Sequence, residues 1–358
     1  MDCHRCGYHL VHRGDSILCA ISGRRGAILN GEGKGPVPEP TNQHTSSPAI
    51  PPDISILIVS WNVRDLLLDC LAALPEAVGA DYSHEVIVVD NASADGTVNA
   101  VREHFPDVQV IANAENRGFT GGNNQALARA RGRYLFLLNP DTKPLPGSIA
   151  ALARYLDAHP DVGVVGPRLW YGDGSPQPNR RRFPDLLTLF TESTVIQHAF
   201  PNLSLFARFR MEDLPDDQSH DVDWLVGAAL MARREVYDAI GPLDEGFFMY
   251  SEELDWCRRA KAAGWRIVFN PAAEIIHYEG RSSEQAVARR DIAFFSSRVR
   301  YTRKYHGPVW AELLRWWLLA TFAFQWLREG AKWLVGHKRP LRAQRMKAYA
   351  QVLRSGLK

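Results

Sequence analysis

The chain of 358 residues has few cysteines, little net charge and no apolar segment at its amino terminus. Its five cysteines are odd in number and unevenly spread, so we expect no disulfide framework and favour a reducing compartment. The formal net charge of +2 gives no reason to expect a nucleic acid as partner. The first residues carry Cys, His and Arg instead of an apolar run, and we therefore expect no secretory signal peptide.

A phosphate loop of the dinucleotide-binding type is also missing. The first strand-like segment, residues 54–61, is followed by Asn-Val-Arg and not by Gly-x-Gly-x-x-Gly. A later cluster of Gly118, Gly121 and Gly122 has the wrong position and spacing for that motif. We therefore exclude a Rossmann dinucleotide site and interpret the later glycines as a loop that lies close to a ligand. The alternative is a tight turn before a helix at residues 125–131.

Residues 134–138, Tyr-Leu-Phe-Leu-Leu, form an apolar run without a polar break, which is typical of a strand buried on both faces of a sheet. Pro140 ends this strand because proline has no backbone donor for the ladder. Asp141 then lies just past the carboxyl end of the strand, where open α/β sheets bind ligands. Its carboxylate can hold a divalent cation, with Asn139 as a neutral oxygen ligand. The alternative is that Asp141 only closes a turn with Thr142.

Strand-like and helix-like segments alternate before this run, which predicts an α/β fold with a mostly parallel, doubly wound sheet. Farther along, Ser251 is in position to cap a helix that begins with Glu252, Glu253 and Asp255 and ends at Gly264. Such carboxylates suit the positive end of a helix dipole, and Asp255 can pair with Arg259. The alternative is that one of them acts as a general base at the sheet edge.

The first 52 residues differ in composition from the rest and predict an extension followed by a linker. Cys3 and Cys6 have the spacing of half a zinc site, and Cys19, His9 and His12 are further candidate ligands. The alternatives are a disordered extension and a translation start placed too early. Residues 31–52 are rich in Gly, Pro, Ser and Thr, a composition typical of linkers.

Residues 310–327 are apolar and rich in Trp and Phe. Glu312 and Arg315 interrupt this run, whereas a membrane span needs about 20 mostly uncharged residues. Basic residues follow it at Lys332, Lys338, Arg339, Arg342 and Arg345. The pattern predicts an interfacial helix whose basic flank faces anionic lipid. The alternative is a core helix packed on the preceding domain.

Taken in order, several of these segments resemble the motifs of the family 2 glycosyltransferases, which have the nucleotide-sugar-binding fold called GT-A. The resemblance covers residues 54 to 305 and is most similar to the bacterial rhamnosyltransferase-like branch. The matching motifs are residues 59–62, 89–96, 116–119, 122–124, 139–142, 252–255 and His277. Each motif alone is weak, but the ordered set is specific. It implies three regions: an extension (1–52), a GT-A domain (53–305) and a membrane-associated helical region (306–358).

The resemblance also implies roles for single residues. Glu253 matches the general base, and Asp141 and His277 match groups that hold Mg²⁺ or Mn²⁺ at the donor diphosphate. Asn139 and Glu253 both depart from the family pattern, which commonly has an acid at the first position and Asp at the second. The positions implied to contact donor or acceptor are Ser60, Asn62, Asp90, Asn91, Asn116, Gly118, Phe119, Asn123, Asn139, Arg182, Trp224, Gly227, Glu252 and Asp255. Apart from the resemblance, the basic residues 180–182 suit a phosphate on the substrate, and the alternative is a solvated loop.

The expected protein is therefore a metal-dependent, inverting hexosyltransferase. The resemblance implies a nucleotide diphosphate sugar as donor, with dTDP-rhamnose preferred and UDP-galactofuranose or UDP-GlcNAc as alternatives. The acceptor would be a polysaccharide or lipid-linked glycan of the cell envelope, reached from the cytoplasmic face of the plasma membrane. A different class, favoured by Asn139 and Glu253, is a catalytically inert nucleotide-sugar-binding or scaffold protein.

Overall fold

The computed structural model describes residues 51–278, 287–336 and 338–358. The chain divides into two compact units, Met1–Ala49 and Ile50–Lys358. The first unit, with the candidate zinc ligands Cys3, Cys6 and Cys19, lies outside the described residues. The zinc site and the division into three regions therefore stay predictions.

The second unit is an α/β domain followed by a helical segment. Its strands are β1 (Ile54–Ser60), β2 (His84–Asp90), β3 (Gln109–Ala112), β4 (Tyr134–Leu138), β5 (Thr142–Pro144), β6 (Val162–Trp170), β7 (Pro176–Gln177), β8 (Arg180–Arg181), β9 (His220–Asp221), β10 (Trp224–Leu225), β11 (Ala229–Arg233) and β12 (Arg266–His277). Its helices are α1 (Arg64–Val78), α2 (Thr97–His104), α3 (Gly118–Leu127), α4 (Ser148–Ala158), α5 (Leu186–Thr191), α6 (Val195–Ala199), α7 (Ser204–Phe209), α8 (Arg234–Ile240), α9 (Glu252–Ala262), α10 (Val287–His306), α11 (Pro308–Leu334) and α12 (Arg339–Ser355).

The main sheet has the order β3-β2-β1-β4-β11-β6-β12-β5. Strands β1 to β4 are mutually parallel, as the alternating segments predicted, and every residue of β4 is buried. Beyond β4 the sheet is mixed, because β11 runs antiparallel to both β4 and β6. Helices cover the sheet and enclose two apolar clusters, one on each face.

Several strands end at the same edge of the sheet, the edge that lies across the strands at the carboxyl ends of β1, β2 and β4. The last residue of β1, Ser60, lies opposite Asp90, the last residue of β2. Strand β4 ends at Leu138, and β11 begins opposite it at Ala229. Because the two strands run in opposite directions, the residues before β11 reach the edge at which β4 ends. The chain after β4 turns back as β5 and pairs antiparallel with the end of β12.

The glycine-rich segment is not the loop that the sequence predicted. Helix α3 begins at Gly118, seven residues before the expected helix at 125–131. Gly118 has φ +77°, and a Cβ atom there would clash with the backbone oxygen of Phe248. A Cβ atom at Gly122 would lie 2.7 Å from a methyl group of Val59 in β1. Gly118 therefore allows the close approach of Phe248, and Gly122 lets α3 pack directly against β1.

The carboxyl-terminal helices α10, α11 and α12 pack on one another and on α5 around a third apolar cluster. Leu314, Leu318 and Phe322 of α11 are buried in this cluster. The predicted aromatic helix thus exists, is longer than residues 310–327, and packs one face on the rest of the unit. Among the described residues, no helix combines the length and apolar character needed to cross a membrane.

Gly122→Ala tests the packing of α3. The added methyl group would contact the β-branched side chain of Val59, which is stiff and fixed within the sheet. We expect the free energy of unfolding in urea to fall by about 1–3 kcal/mol. Gly121→Ala is the matched control, since its nearest neighbour is the Cβ atom of Arg117 at 3.3 Å. Equal stabilities of the two variants would contradict this packing.

Candidate active site

The turn after β4 brings Asp141 and His277 together. Thr142 pairs with His277 in the β5–β12 ladder, and the Tyr278 N–H donates to the Asp141 carbonyl at 2.9 Å. As a result the His277 Nε2 atom lies 3.4 Å from Asp141 Oδ1 and 3.4 Å from Asn139 Nδ2. Asp141 and His277 are each about 5% exposed. The sequence placed these three residues in one site, and the structure places them in contact.

A hydrogen bond to Gln177 orients the His277 ring. Nδ1 lies 3.0 Å from Gln177 Oε1, and a carboxamide oxygen can only accept, so Nδ1 is the donor. In the neutral ring, Nε2 then presents its lone pair toward Asp141 and Asn139. Metal-binding histidines are commonly oriented in this way by a partner at the other ring nitrogen. Gln177 was missed by sequence reasoning, because it lies in a two-residue strand with no motif around it.

These residues fit a divalent cation that the substrate helps to hold. Asn139 Oδ1 is buried and has no hydrogen-bond partner, and it lies on the same side chain that contacts His277. Within the described residues, no group of three or more His, Cys, Asp or Glu side chains could hold a metal. A cation here would therefore have Asp141, His277 and Asn139 as protein ligands, with phosphate oxygens and water completing its coordination.

The ends of β1 and β2 form the neighbouring part of the edge. Ser60 and Asp90 are buried, and Ser60 Oγ and Asp90 Oδ1 have no hydrogen-bond partner. The other oxygen of Asp90 accepts from the Ser93 N–H at 2.9 Å, which holds the turn after β2. An uncompensated buried hydroxyl and carboxylate oxygen are costly unless a ligand or water satisfies them. Both residues are among the positions that the resemblance implies to contact donor or acceptor.

Several of the predicted contact residues shape the backbone around this edge. The Asn91 amide donates to the Gly118 carbonyl at 2.9 Å, and Asn116 Oδ1 accepts from the Gly118 N–H. Asn62 has φ +54°, and its Oδ1 accepts from the Ala94 N–H at 2.7 Å. Within α3, the buried Asn123 donates to the Phe119 carbonyl. These bonds hold the first turn of α3 beside the ends of β1 and β2.

The carboxylates of α9 lie at the same edge. Gly227, two residues before β11, is close to Glu253, because a Cβ atom on it would lie 3.6 Å from the Glu253 side chain. The next carbonyl, that of Ala228, accepts from the Asn139 N–H at 2.9 Å. One short segment thus contacts both the candidate base and the residue beside the candidate metal ligands.

The helix start differs from the predicted Ser251 cap. Ser251 accepts no capping hydrogen bond through its side chain, and Tyr250 and Ser251 both have left-handed backbone angles, φ +69° and +65°. In that conformation the Ser251 side chain does not satisfy the first N–H groups of α9. Two consecutive non-glycine residues in this region are strained and need support from their surroundings. Gly264 ends the helix region as predicted, with φ +92°.

Glu252 and Glu253 form a buried carboxyl pair. They are 3% and 9% exposed, and each has one oxygen, Oε2, without a hydrogen-bond partner. Burial, and then the charge of Glu253, raises the pKa of Glu252 well above its usual value. Burial also raises the pKa of Glu253, although hydrogen bonds from its own backbone, from Glu252 and from nearby backbone groups oppose that rise. Of the two carboxyls, Glu252 is therefore the one whose protonated form burial and the neighbouring charge favour more strongly.

Asp255 is fully buried but balanced by cations. It accepts from Arg259 at 3.0 Å, as its spacing predicted, and from Tyr305 at 2.7 Å, and Lys304 lies 2.6 Å away. Lys304 and Tyr305 belong to α10, which the motifs did not connect with this helix. Because its oxygens are satisfied within the fold, Asp255 anchors α9 to α10.

The basic residues 180–182 are engaged inside the protein. The Arg180 guanidinium donates to the carbonyls of Leu214 and Pro215, and Arg182 forms two 2.9 Å bonds with Asp213. The Trp224 indole donates to the Arg182 carbonyl at 3.0 Å. Phosphate binding by Arg182 stays a prediction, and in this structure its side chain supports a loop.

The sequence profile described as Glycosyl transferase family 2 matches residues 55–241, which is more than half of the chain. The N-acetylglucosaminyl-diphospho-decaprenol L-rhamnosyltransferase of Mycobacterium tuberculosis is 30% identical over 283 residues, covering 76% of this chain and 91% of that protein. The rhamnosyltransferase WbbL of Escherichia coli is 24% identical over 271 residues, covering 70% of this chain and 90% of that protein.

Among solved structures, a mannosyltransferase from Pyrobaculum calidifontis in complex with GDP-Man and Mn²⁺ has a TM-score of 0.50. It is 18% identical and covers 87% of this chain and 88% of its own. A structure of GalNAc-T7 with UDP, GalNAc and Mn²⁺ also has a TM-score of 0.50, at 14% identity, covering 70% of this chain and 48% of its own. Both likenesses concern the fold. The GT-A fold and the rhamnosyltransferase-like resemblance are confirmed, and the chain belongs to glycosyl transferase family 2.

Proposed function

We propose that this glycosyltransferase moves a sugar from a nucleotide diphosphate donor to a glycan acceptor, with inversion at the anomeric carbon. The observation that carries the proposal is the buried Glu253 carboxyl, whose Oε2 has no partner, beside the segment that also contacts Asn139. A raised pKa and an unsatisfied oxygen suit a group that takes up a proton during the reaction.

In the proposed reaction Glu253 accepts the proton of the acceptor hydroxyl. The hydroxyl oxygen bonds to the anomeric carbon as the bond from that carbon to the diphosphate oxygen breaks. Glu252 keeps its proton and donates a hydrogen bond to Glu253. This hydrogen bond orients the Glu253 carboxylate and favours its ionised form. Asp255 stays paired with its cations and fixes the helix that carries both residues.

Asp141 and His277, with Asn139, are the proposed holders of Mg²⁺ or Mn²⁺. When bound, the cation would offset the negative charge of the departing diphosphate. Ser60, Asp90 and Asn91 line the proposed nucleoside site, since two of them present unsatisfied buried oxygens there.

The proposed donor and acceptor follow from the relatives. Two of them are rhamnosyltransferases, which supports dTDP-rhamnose as donor, and UDP-galactofuranose and UDP-GlcNAc are the alternatives. The M. tuberculosis relative is named for N-acetylglucosaminyl-diphospho-decaprenol, a lipid-linked diphosphate sugar. That name supports a lipid-linked glycan as acceptor. We propose a role in cell-envelope glycan synthesis at the cytoplasmic face of the plasma membrane.

Replacing Asp141 tests the metal assignment. Asp141→Ala removes the only carboxylate beside His277 among the described residues, so we expect turnover with saturating Mn²⁺ to fall by at least about 10²-fold. The control is Asp173→Ala, because Asp173 is exposed and holds only a turn with Ser175. Turnover of Asp141→Ala that matches the wild type, in Mn²⁺ and in chelator alike, would show that the assignment is wrong.

Replacing Glu253 separates catalysis from binding. Glu253→Gln keeps the shape of the side chain but loses the proton acceptor, so turnover should fall by about 10²–10⁴-fold while donor affinity changes little. The matched control is Glu235→Gln on the exposed start of α8, which should behave as the wild type.

Normal turnover of Glu253→Gln together with lost turnover of Glu252→Gln would show that Glu252 is the general base. If variants of Glu252, Glu253 and Asp255 all formed product at the wild-type rate, none of the three would be the general base, and their role would be structural. An inert binding protein would bind the donor and form no product even as the wild type.

The pH dependence tests the carboxyl pair. Because the pKa of Glu253 is raised, kcat/KM should begin to fall, as pH is lowered, above the ordinary glutamate value of about 4.3. Glu252→Leu removes the hydrogen bond that lowers the pKa of Glu253, so this acidic limb should move to higher pH. Glu252→Gln retains a donor and should leave the limb near its wild-type position. Identical limbs in the Leu and Gln variants would contradict proton sharing.

A further inference from the structure

Helix α11 has two apolar faces, and the described part of the chain covers only one of them. Ala311, Leu314, Leu318 and Phe322 are buried against the neighbouring helices. On the opposite side, Val309, Leu313, Trp316, Phe324, Leu327 and Leu334 are between 51% and 70% exposed. We call these six residues the outer face of α11. A helix that is apolar on both sides within a soluble fold has a surface that calls for an explanation.

The spacing of the outer face is regular. Its members recur at intervals of three, four, seven or eight residues, which keeps them within a narrow stripe at about 100° per residue. From Val309 to Leu334 the stripe extends about 38 Å at 1.5 Å per residue. The exposed apolar surface extends from α11 toward α5 through Trp310, whose ring centroid lies 6.4 Å from that of Phe190. On α5, Leu187 is 59% exposed. Scattered surface leucines do not give such a stripe.

The charge around the stripe has one sign. Residues 306–358 contain ten Lys or Arg and two Asp or Glu, a net charge of +8 in a chain whose total is +2. The two acids are already paired: Glu312 with Arg303 and Arg315, and the buried Glu329 with Arg342 and Lys332. Arg345 also lies near Glu329, and exposed cations outside these pairs remain on and beside α12, at Lys338, Arg339, Lys347, Arg354 and Lys358.

Two occupants would cover an apolar stripe of this length: a second copy of the chain or a lipid surface. In a symmetric dimer the stripe would face itself, and the two segments of net charge +8 would lie against each other, which is unfavourable. An anionic bilayer complements both features, because it takes up the apolar side chains and attracts the cations. Tryptophan, which prefers the membrane interface, occurs five times in residues 306–358.

We propose that the outer face of α11, with the exposed cations of α12, is a docking surface for an anionic lipid bilayer. The helix lies along the bilayer, with its buried face still packed on α10 and α12. The sequence left an interfacial helix and a core helix as alternatives, and in this arrangement α11 is both. The proposal does not depend on the catalytic assignments, since lipid binding is measured without donor or acceptor.

The test is flotation of the full chain with vesicles of phosphatidylcholine, with and without phosphatidylglycerol. We expect salt-sensitive binding to the vesicles that contain phosphatidylglycerol. Leu313→Gln/Phe324→Gln/Leu327→Gln should weaken that binding by about 10²-fold or more, because it removes three inserted apolar side chains. The matched control is Phe200→Gln/Leu203→Gln, which replaces exposed apolar residues between α6 and α7, outside α11 and α12, and should bind as the wild type.

The thermal unfolding of each variant is measured as a check on its fold. Because the replaced residues are exposed, we expect the fold to be retained. A second set, Lys338→Gln/Arg339→Gln/Lys347→Gln, should lose the preference for phosphatidylglycerol. Equal binding by the wild type and the triple outer-face variant would overturn the proposal. So would a dimer in light scattering that the outer-face variant dissociates while neither protein binds vesicles, since the stripe would then be an interface between two copies.

Discussion

The reversal of the chain at Pro140 is the constraint on which the site depends. Strand β4 is buried along its whole length, so it ends where the proline removes a donor, at the edge of the sheet. The chain then turns back as β5 and pairs with the last residues of β12, which places Asp141 against His277. The ladder between β5 and β12 therefore fixes the geometry of the proposed cation site before any ligand binds.

A second feature is the contrast between the acids of α9. Asp255 forms ion pairs with Arg259 and Lys304 and accepts a hydrogen bond from Tyr305, and these contacts connect α9 to α10. Glu252 and Glu253 lie a few residues away and are nearly as buried, yet each has an oxygen without a partner. Burying unsatisfied carboxyl groups costs stability, and the helix start that carries them is strained at Tyr250 and Ser251. A fold that satisfies one acid fully and leaves its neighbours unsatisfied is more consistent with a reacting group than with a helix cap.

The sequence predicted the parts of the fold that depend on local pattern. The apolar run of β4 and the α/β alternation were found, because strand burial and strand ends show in consecutive residues. The joint position of Asn139, Asp141 and His277 was implied by the family resemblance and not by a local pattern. Features that depend on distant packing were not. Helix α3 begins at Gly118 because β1 and Phe248 approach its glycines, and no local rule indicates that approach. Gln177, Lys304 and Tyr305 contact the site across long stretches of chain. Ser251 has the residue type of a cap but a left-handed backbone that the sequence does not indicate.

The central claim is that the sheet edge holds a divalent cation between Asp141 and His277 when the donor binds. The most direct measurement is the anomalous scattering of manganese in crystals grown with Mn²⁺ and a nucleoside diphosphate. The account predicts one strong peak within coordination distance of Asp141 and of His277 Nε2, with the diphosphate on its other side and the nucleoside next to Asp90. A nucleotide bound there with no manganese peak between those two side chains, or with the peak at other residues, would contradict it.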